Sequence, residues 1–314
     1  MLNRALENVK TVAIGGHVRP DGDCTGSVMG LYQYMQTCYP EIAVDVYLEE
    51  IPESFRTMIK ATKDIIHEIA DEKSYDLFIA LDCGDAGRLG FSSVLFQNAK
   101  KTLCIDHHIS NMSFADENYI VPDASSTSEL VYGLLDADKI TTEVAECLYL
   151  GIVHDTGVFQ YSCTSPETME VAANLMRKGI RAPEIIDKTY YEKTYEQNQV
   201  LGKALLDSEL LLDGRCIVSY VTQETMQKYG IGPKDLDGIV SQLRITKGVE
   251  VAIFLYELDT KEYKVSLRTS GDINMSEVAS YFGGGGHVKA AGVTMQGTVQ
   301  EIVAQIVEQI RLQM

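Results

Sequence analysis

Short apolar runs alternate with stretches of helical spacing through the first half of the chain, and this alternation constrains the fold more than any other feature. Thr11–Gly15, Val44–Leu48, Leu77–Leu81 and Thr102–Ile105 read as buried strands. Gly26–Met35, Ser54–Ala70, Ser128–Ala137 and Glu143–Val153 carry helical spacing. Strand–helix alternation predicts a mostly parallel sheet with helices on both faces. Ligands of such sheets gather at the carboxyl ends of the strands. His17 follows the first run, Asp82 ends the third and Asp106 follows the fourth, which is where an α/β site belongs.

From Pro166 to about Ser208 the sequence is helical and polar, and it hands over to a second region of different character. There Leu210–Leu212, Cys216–Val221, Val251–Glu257 and Tyr263–Arg268 are strand-like, with Leu258-Asp259-Thr260-Lys261 turning the last pair into a hairpin. Val299–Leu312 reads as a closing helix. The predicted fold class is α/β: an N-terminal domain with a mostly parallel sheet flanked by helices, joined by a helical linker to a smaller α+β C-terminal domain.

The chain carries 27 Lys and Arg against 45 Asp and Glu, a net charge of −18. That balance excludes a protein that grips long duplex nucleic acid, which needs clustered cations to displace condensed counterions. A short anionic ligand is still compatible with a locally positive or metal-loaded pocket. The seven cysteines are odd in number and form no C-x-x-C, so neither a disulfide framework nor a zinc knuckle is expected. A reducing cytoplasm is the expected location, without membrane contact, because the sequence shows no apolar signal core and no run of about 18 apolar residues.

Gly16-His17-Val18-Arg19-Pro20-Asp21-Gly22-Asp23 offers one imidazole and two carboxylates, a donor set that suits a divalent ion such as Mn²⁺. The same residues also read as a Pro20-Asp21-Gly22 turn with Asp23 capping the next helix. Asp82, in Leu81-Asp82-Cys83-Gly84-Asp85, reads as a carboxylate bridging two ions or as a solvated loop residue. In Ile105-Asp106-His107-His108 adjacent side chains of an extended segment point opposite ways. One histidine could then bind metal while the other faces substrate, with Asp106 orienting a ring. Asp155, in Gly151–Gly157, either completes a metal site, with His154 pointing elsewhere, or belongs to a plain helix end at Gly157.

Gly283-Gly284-Gly285-Gly286-His287 can bring backbone N–H groups up to an anion, although a bare glycine run reads first as a flexible loop. Ser126 and Glu129 have capping-box spacing before an apolar helix, and that helix N-terminus would also offer N–H groups to a phosphate. His67 lies in a helical stretch far from these motifs and reads as a surface residue.

Taken in order, these motifs resemble those of the DHH phosphoesterase family, and within it the two-domain oligoribonucleases (nano-RNases) and pAp phosphatases. The N-terminal set is His17-x-x-x-Asp21-x-Asp23, Asp82, Asp106-His107-His108 and Asp155. The C-terminal set is Ser266-Leu267-Arg268, Gly283-Gly284-Gly285-Gly286-His287 and Ala290-Ala291-Gly292. The resemblance implies a catalytic metal-binding domain over 1–185, a helical linker over 186–207 and a substrate-binding domain over 208–314. It implies two Mn²⁺, with other divalent ions able to replace them. One would be held by His17, Asp21 and Asp82, the other by Asp23, Asp82, His107 and Asp155, so that Asp82 is shared.

By the same resemblance His108, with Asp106 behind it, faces the scissile phosphate, while Arg268, Gly285, Gly286 and His287 clamp another phosphate or nucleotide of the substrate. Water activated between the ions would attack phosphorus in line, with His108 stabilising charge or assisting the leaving group. After Arg268 this chain reads Thr269-Ser270-Gly271, where many relatives place a further basic residue; Arg88 is a candidate replacement or a plain surface residue.

The expected activity is hydrolysis of short RNA oligonucleotides and linear dinucleotides such as pApA to mononucleotides, with pAp to AMP as a second reaction. Opening of cyclic dinucleotides (cyclic di-AMP) is the alternative, and a catalytically silent nucleotide-binding regulator is opposed by the filled ligand positions. Inorganic pyrophosphatase is opposed by the glycine pattern, and a processive exonuclease by the lack of a positively lined track. A homodimer is left open. Asp21, Asp23, Asp82 and Asp155 bring four negative charges that two divalent ions would cancel, while the rest of the surface still repels long polyanions.

Overall fold

Val12 and Ile14 of strand β1 (Thr11–Gly15) point into one apolar layer and Ala13 into another. Such two-sided burial belongs to a sheet covered by helices on both faces. The structure, a computed structural model, describes residues 1–70 and 73–314. These divide into two units, Met1–Glu192 and Lys193–Met314.

The first unit is built on β1, β2 (Ala43–Tyr47), β3 (Ile65–Ile66), β4 (Leu77–Leu81), β5 (Thr102–Asp106) and β6 (Glu117–Ile120). All are parallel, in the order β3-β2-β1-β4-β5-β6. Every residue of β4 and β5 is buried. Its helices are α1 (Leu2–Ala5), α2 (Gly22–Cys38), α3 (Glu53–Met58), α4 (Ser93–Asn98), α5 (Thr127–Leu134), α6 (Thr142–Asp155), α7 (Pro166–Met176) and α8 (Ala182–Ile186). Leu31 and Met35 of α2 pack with Val144, Leu148 and Ile152 of α6 in the larger core, against Val12, Ile79 and Ile105 of the sheet. On the other face Leu95 and Phe96 of α4 cover Phe78, Ala80 and Cys104.

The second unit begins with α9 (Tyr195–Leu206), β7 (Glu209–Leu211), β8 (Cys216–Val221), α10 (Gln223–Tyr229) and α11 (Ile239–Arg244). It continues with β9 (Val251–Asp259), β10 (Glu262–Thr269), α12 (Met275–Tyr281), β11 (Gly285–His287), β12 (Ala290–Gln296) and α13 (Val299–Arg311). The sheet order is β11-β12-β10-β9-β8-β7, antiparallel except for β8 beside β9. Helices α12 and α13 seal one face, over Val265 and Leu267; α9, α10 and α11 cover β8 and β9 on the other.

Three expectations need correction. The helix predicted over Ser54–Ala70 ends at Met58: Ala61 takes φ 63° and Ile65–Ile66 join the sheet as an edge strand. His67 therefore follows a strand, its Nδ1 lying 2.9 Å from the Leu48 carbonyl oxygen. The glycine run is a strand in its second half, because Gly285–His287 pair with β12. The helix predicted over Ser128–Ala137 stops at Leu134. All seven cysteines are free, and among the described residues no helix is long and apolar enough to cross a membrane.

Candidate metal centre

Strand order reverses at β1 and β4, whose crossovers run to opposite sides, and the crevice beyond such a reversal is where open α/β sheets bind ligands. His17 follows β1, Asp82 follows β4 and Asp106 ends β5. Two helices complete the site. Helix α2 starts at Gly22 with Asp21 as its cap, whose Oδ1 accepts from the backbone N–H groups of Asp23 and Cys24, each at 3.1 Å. The cap is thus Asp21, not Asp23. Helix α6 ends on Asp155. Gly26 of α2 lies against the Cys147 carbonyl and Gly151 of α6, and Gly151 lies against Ser128 Oγ and Asp23 Oδ1. A Cβ at either glycine would collide, so these two residues let α2, α5 and α6 converge below the strand ends.

Asp82 sits at the centre, 2 % exposed, with φ at 56°. This left-handed conformation costs about 1 kcal/mol in an L-residue, and Asp is among the residue types that adopt it most readily. His17 Nε2 stands 3.4 Å from Asp82 Oδ2 and 3.5 Å from Asp21 Oδ2. On the other side His107 Nε2 stands 3.7 Å from Asp82 Oδ1, 3.0 Å from Asp155 Oδ2 and 4.0 Å from Asp23 Oδ2. One carboxylate therefore presents each oxygen to a different imidazole.

The rings are oriented from behind. His17 Nδ1 lies 2.9 Å from the Val18 carbonyl oxygen and His107 Nδ1 lies 3.3 Å from that of Ala124. A proton on Nδ1 satisfies both carbonyls and leaves each Nε2 as the electron-pair donor, the arrangement of metal-binding histidines. His108 is turned differently: its Nδ1 is 2.7 Å from Asp106 Oδ1. The two neighbouring histidines are held differently: His107 faces Asp155 and Asp82, while His108 is held by Asp106 with its Nδ1 also 3.7 Å from Asp82 Oδ1.

The charges make a closely coupled group. Burial opposes a charged His17, yet its hydrogen bonds to Asp21 and Asp82 outweigh that and raise it to about 10. His107 is likewise raised to about 10 against its burial, chiefly by Asp155 and Asp23. Burial, with repulsion from Asp82 and Asp155, pushes Asp23 well above the carboxylate range. Burial also raises Asp155, to about 6, despite its bond to His107. Among the described residues the ion-pair partners of these carboxylates are histidines rather than Lys or Arg. Ligand atoms of Asp82, His107 and His108 lie within 4.8 Å of one another, as do those of Asp23, His107 and Asp155, and of His17, Cys24 and Asp82. Buried carboxylates with neutralisable imidazoles, and no permanent cation, fit divalent metal.

Three contributors were not foreseen. Thr127, the first residue of α5, donates its hydroxyl to Asp82 Oδ1 at 3.1 Å and its backbone N–H to Asp23 Oδ2 at 2.6 Å, while Ser128 N–H donates to Asp23 Oδ1 at 2.8 Å. The α5 N-terminus is thereby committed to Asp23, which corrects its reading as a phosphate site. Only half of the capping box forms: Ser126 Oγ accepts from Glu129 N–H, but the Glu129 carboxylate turns to Ser125 and Thr168. Asn111 donates to Asp106 Oδ2 at 2.7 Å and to the Cys83 carbonyl at 2.9 Å, fixing the carboxylate behind His108. Cys24 adjoins His17 and Asp82, but burial keeps its thiol well above the usual range and neutral. Its place directly after Asp23 was the only sequence signal.

His154 is not brought to the centre. Its ring packs edge-on to Phe55, its Nε2 lies 3.0 Å from Thr189 Oγ1, and burial lowers it to about 4. Arg88 is exposed, while its carbonyl accepts from Val18 N–H at 2.8 Å and so supports the loop that carries His17. Arg268, Gly285, Gly286 and His287 belong to the second unit, on β10 and β11.

Comparison with known proteins identifies both domains of the chain. The DHH family N-terminal domain matches residues 11–152 and the DHHA1 domain matches residues 213–312. A Thermus thermophilus protein named bifunctional oligoribonuclease and PAP phosphatase NrnA is 27 % identical over 304 residues, covering 96 % of this chain and 89 % of its own. The Bacillus subtilis protein of the same name is 26 % identical over 300 residues, covering 94 % and 92 %. The crystal structure of an exopolyphosphatase-related protein from Bacteroides fragilis superposes with a TM-score of 0.91 at 28 % identity, covering 99 % of this chain and 94 % of that one. With both domains matched and the Asp106-His107-His108 triplet at the end of β5, the chain belongs to the DHH phosphoesterase family.

Proposed function

We propose that this chain hydrolyses short oligoribonucleotides and linear dinucleotides such as pApA to mononucleotides in the cytoplasm, and also converts pAp to AMP. The observation that carries the reading is Asp82, whose two oxygens face His17 and His107 separately. Relatives over nearly the whole chain bear the name oligoribonuclease and PAP phosphatase. Two Mn²⁺ are assigned, one to His17, Asp21 and Asp82, the other to Asp23, Asp82, His107 and Asp155. Bound there, they supply Lewis acidity toward phosphoryl oxygens and activate water.

The protein's own groups do the rest. Asp21, Asp23, Asp82 and Asp155 supply the negative charge that holds metal, and the carbonyls of Val18 and Ala124 hold the histidine rings. The bond to Asp106 raises His108 against its burial and so favours the protonated ring, the form that can donate a proton. As water adds to phosphorus and the bond to the leaving nucleoside oxygen breaks, His108 stabilises the phosphoryl charge or protonates that oxygen, and the water's proton passes to solvent. Arg268, Gly285, Gly286 and His287 bind a further phosphate or nucleotide; residues 1–185 are the catalytic domain, 186–207 the linker and 208–314 the substrate-binding domain.

A side-by-side assay tests this. With Mn²⁺ present, pApA and pAp are turned over and a long RNA is not. Turnover of cyclic di-AMP ahead of pApA would replace the reading with cyclic dinucleotide opening, and turnover of none would end it.

A further inference from the structure

Opposite residues of an antiparallel ladder share one face of the sheet. Arg268 on β10 pairs with Ala290 on β12, and His287 on β11 pairs with the same Ala290. Arg268 and His287 therefore stand on one face, two strand spacings or about 10 Å apart. Lys264 lies four residues back along β10, on that same face, about 13 Å from Arg268 by strand rise. Between the two cations come Ser266 and, opposite it, Gly292. Lys264 reaches across this floor: its Cε is 3.9 Å from where a Cβ on Gly292 would be.

The strip is open. The opposite face of β10 is sealed by α12 and α13, and α9, α10 and α11 cover β8 and β9, whereas Lys264, Ser266, Arg268 and Gly292 are all part-exposed. Lys264 has no ion-pair partner among the described residues, in contrast to Lys289, which is tied to the Gly271 carbonyl. In a chain of net charge −18, a lysine that forms no ion pair among the described residues and stands over a floor of small residues is suited to take an anion. Glu262, two residues before Lys264 and opposite Gln296, closes the strip with negative charge.

We infer that Lys264 is an outer phosphate contact of the C-terminal unit, taking a phosphodiester of the oligonucleotide beyond the phosphate held at Arg268, and that Glu262 ends the track. The inference rests on the proposed function and adds the source of chain-length preference: Lys264 supplies a second cation on the face that carries Arg268, and the carboxylate beyond it turns longer strands away.

The test is steady-state kinetics of the full, Mn²⁺-loaded chain on pAp and on oligoadenylates of two to five nucleotides, over a range of KCl. For oligomers of three or more, Lys264→Gln should raise KM about fivefold with kcat unchanged. It should also reduce the salt dependence of log(1/KM) by about 0.7 per decade, the loss of one single-strand phosphate contact. pAp, with one nucleoside, should be unaffected. Glu262→Gln should lower KM for the longest oligomer. An unchanged KM in Lys264→Gln on every oligomer, or an equal change on pAp, would overturn the inference while wild-type turnover leaves the proposed function standing. A wild type that cleaves none of these substrates would overturn both.

Discussion

Replacing Thr127 by valine probes the metal centre through a residue that is not itself a ligand. Valine keeps the shape of the side chain and removes one group, the hydroxyl that donates to Asp82 Oδ1 at 3.1 Å. The backbone N–H that donates to Asp23 at 2.6 Å is untouched. A hydrogen bond to a charged acceptor is worth about 1.5–3 kcal/mol. Expressed wholly in metal affinity, that is a loss of about ten- to a hundredfold, the usual cost of removing an outer partner of a metal ligand. Because Asp82 is assigned to both ions, both affinities should fall together. Competition of the full chain against a fluorescent chelator for Mn²⁺ reads this directly, with circular dichroism confirming the fold. Thr127→Ser keeps the hydroxyl and should bind within about threefold of wild type. A folded Thr127→Val that binds both ions within about twofold of wild type would refute the reasoning, and weakening of one ion alone would refute the sharing of Asp82.

Two further outcomes follow from the same geometry. Gly151→Ala drives a methyl group into Ser128 Oγ and Asp23 Oδ1, so it should destabilise the protein by about 1–3 kcal/mol in urea unfolding and weaken metal binding as well. In EDTA, the raised affinity of His17 and His107 for protons is a source of stability that is full below pH about 6.5 and is lost as pH rises toward about 10. The metal-free melting temperature should therefore fall between pH 6.5 and 9.5, whereas Mn²⁺ affinity should rise over the same range, since the imidazoles must shed protons to bind.

Much of this was legible because each proposed ligand sits at or next to an element end. His17, Asp82 and Asp106 leave three strands of one parallel sheet, and any sheet of that kind collects its strand ends at one edge. Asp155 is the last residue of a helix buried on all sides from Val144 to Val153, so its position follows from where that helix ends. The role of Thr127 was not legible. Ser125-Ser126-Thr127-Ser128-Glu129 reads locally as a self-capped helix start, but the N–H groups at its tip are taken by Asp23, 104 residues away for Thr127. That exchange depends on α2 and α5 meeting, and they meet because Gly151 has no side chain. The false helix over Ser54–Ala70 is a related case: its apolar spacing is real, but Ile65 serves the edge of the sheet instead of a helix face. In the glycine run, missing side chains removed the alternation that would have marked β11, and only its partner Ala290–Gln296 fixes the pairing.

The most direct test of the account is to strip the full chain with EDTA, remove the chelator, and titrate Mn²⁺ while following pApA hydrolysis. The account predicts no hydrolysis before metal is added and a rise that saturates at two ions per chain. Hydrolysis that survives thorough stripping, or that saturates at a single ion, would contradict a centre in which Asp82 serves two metals.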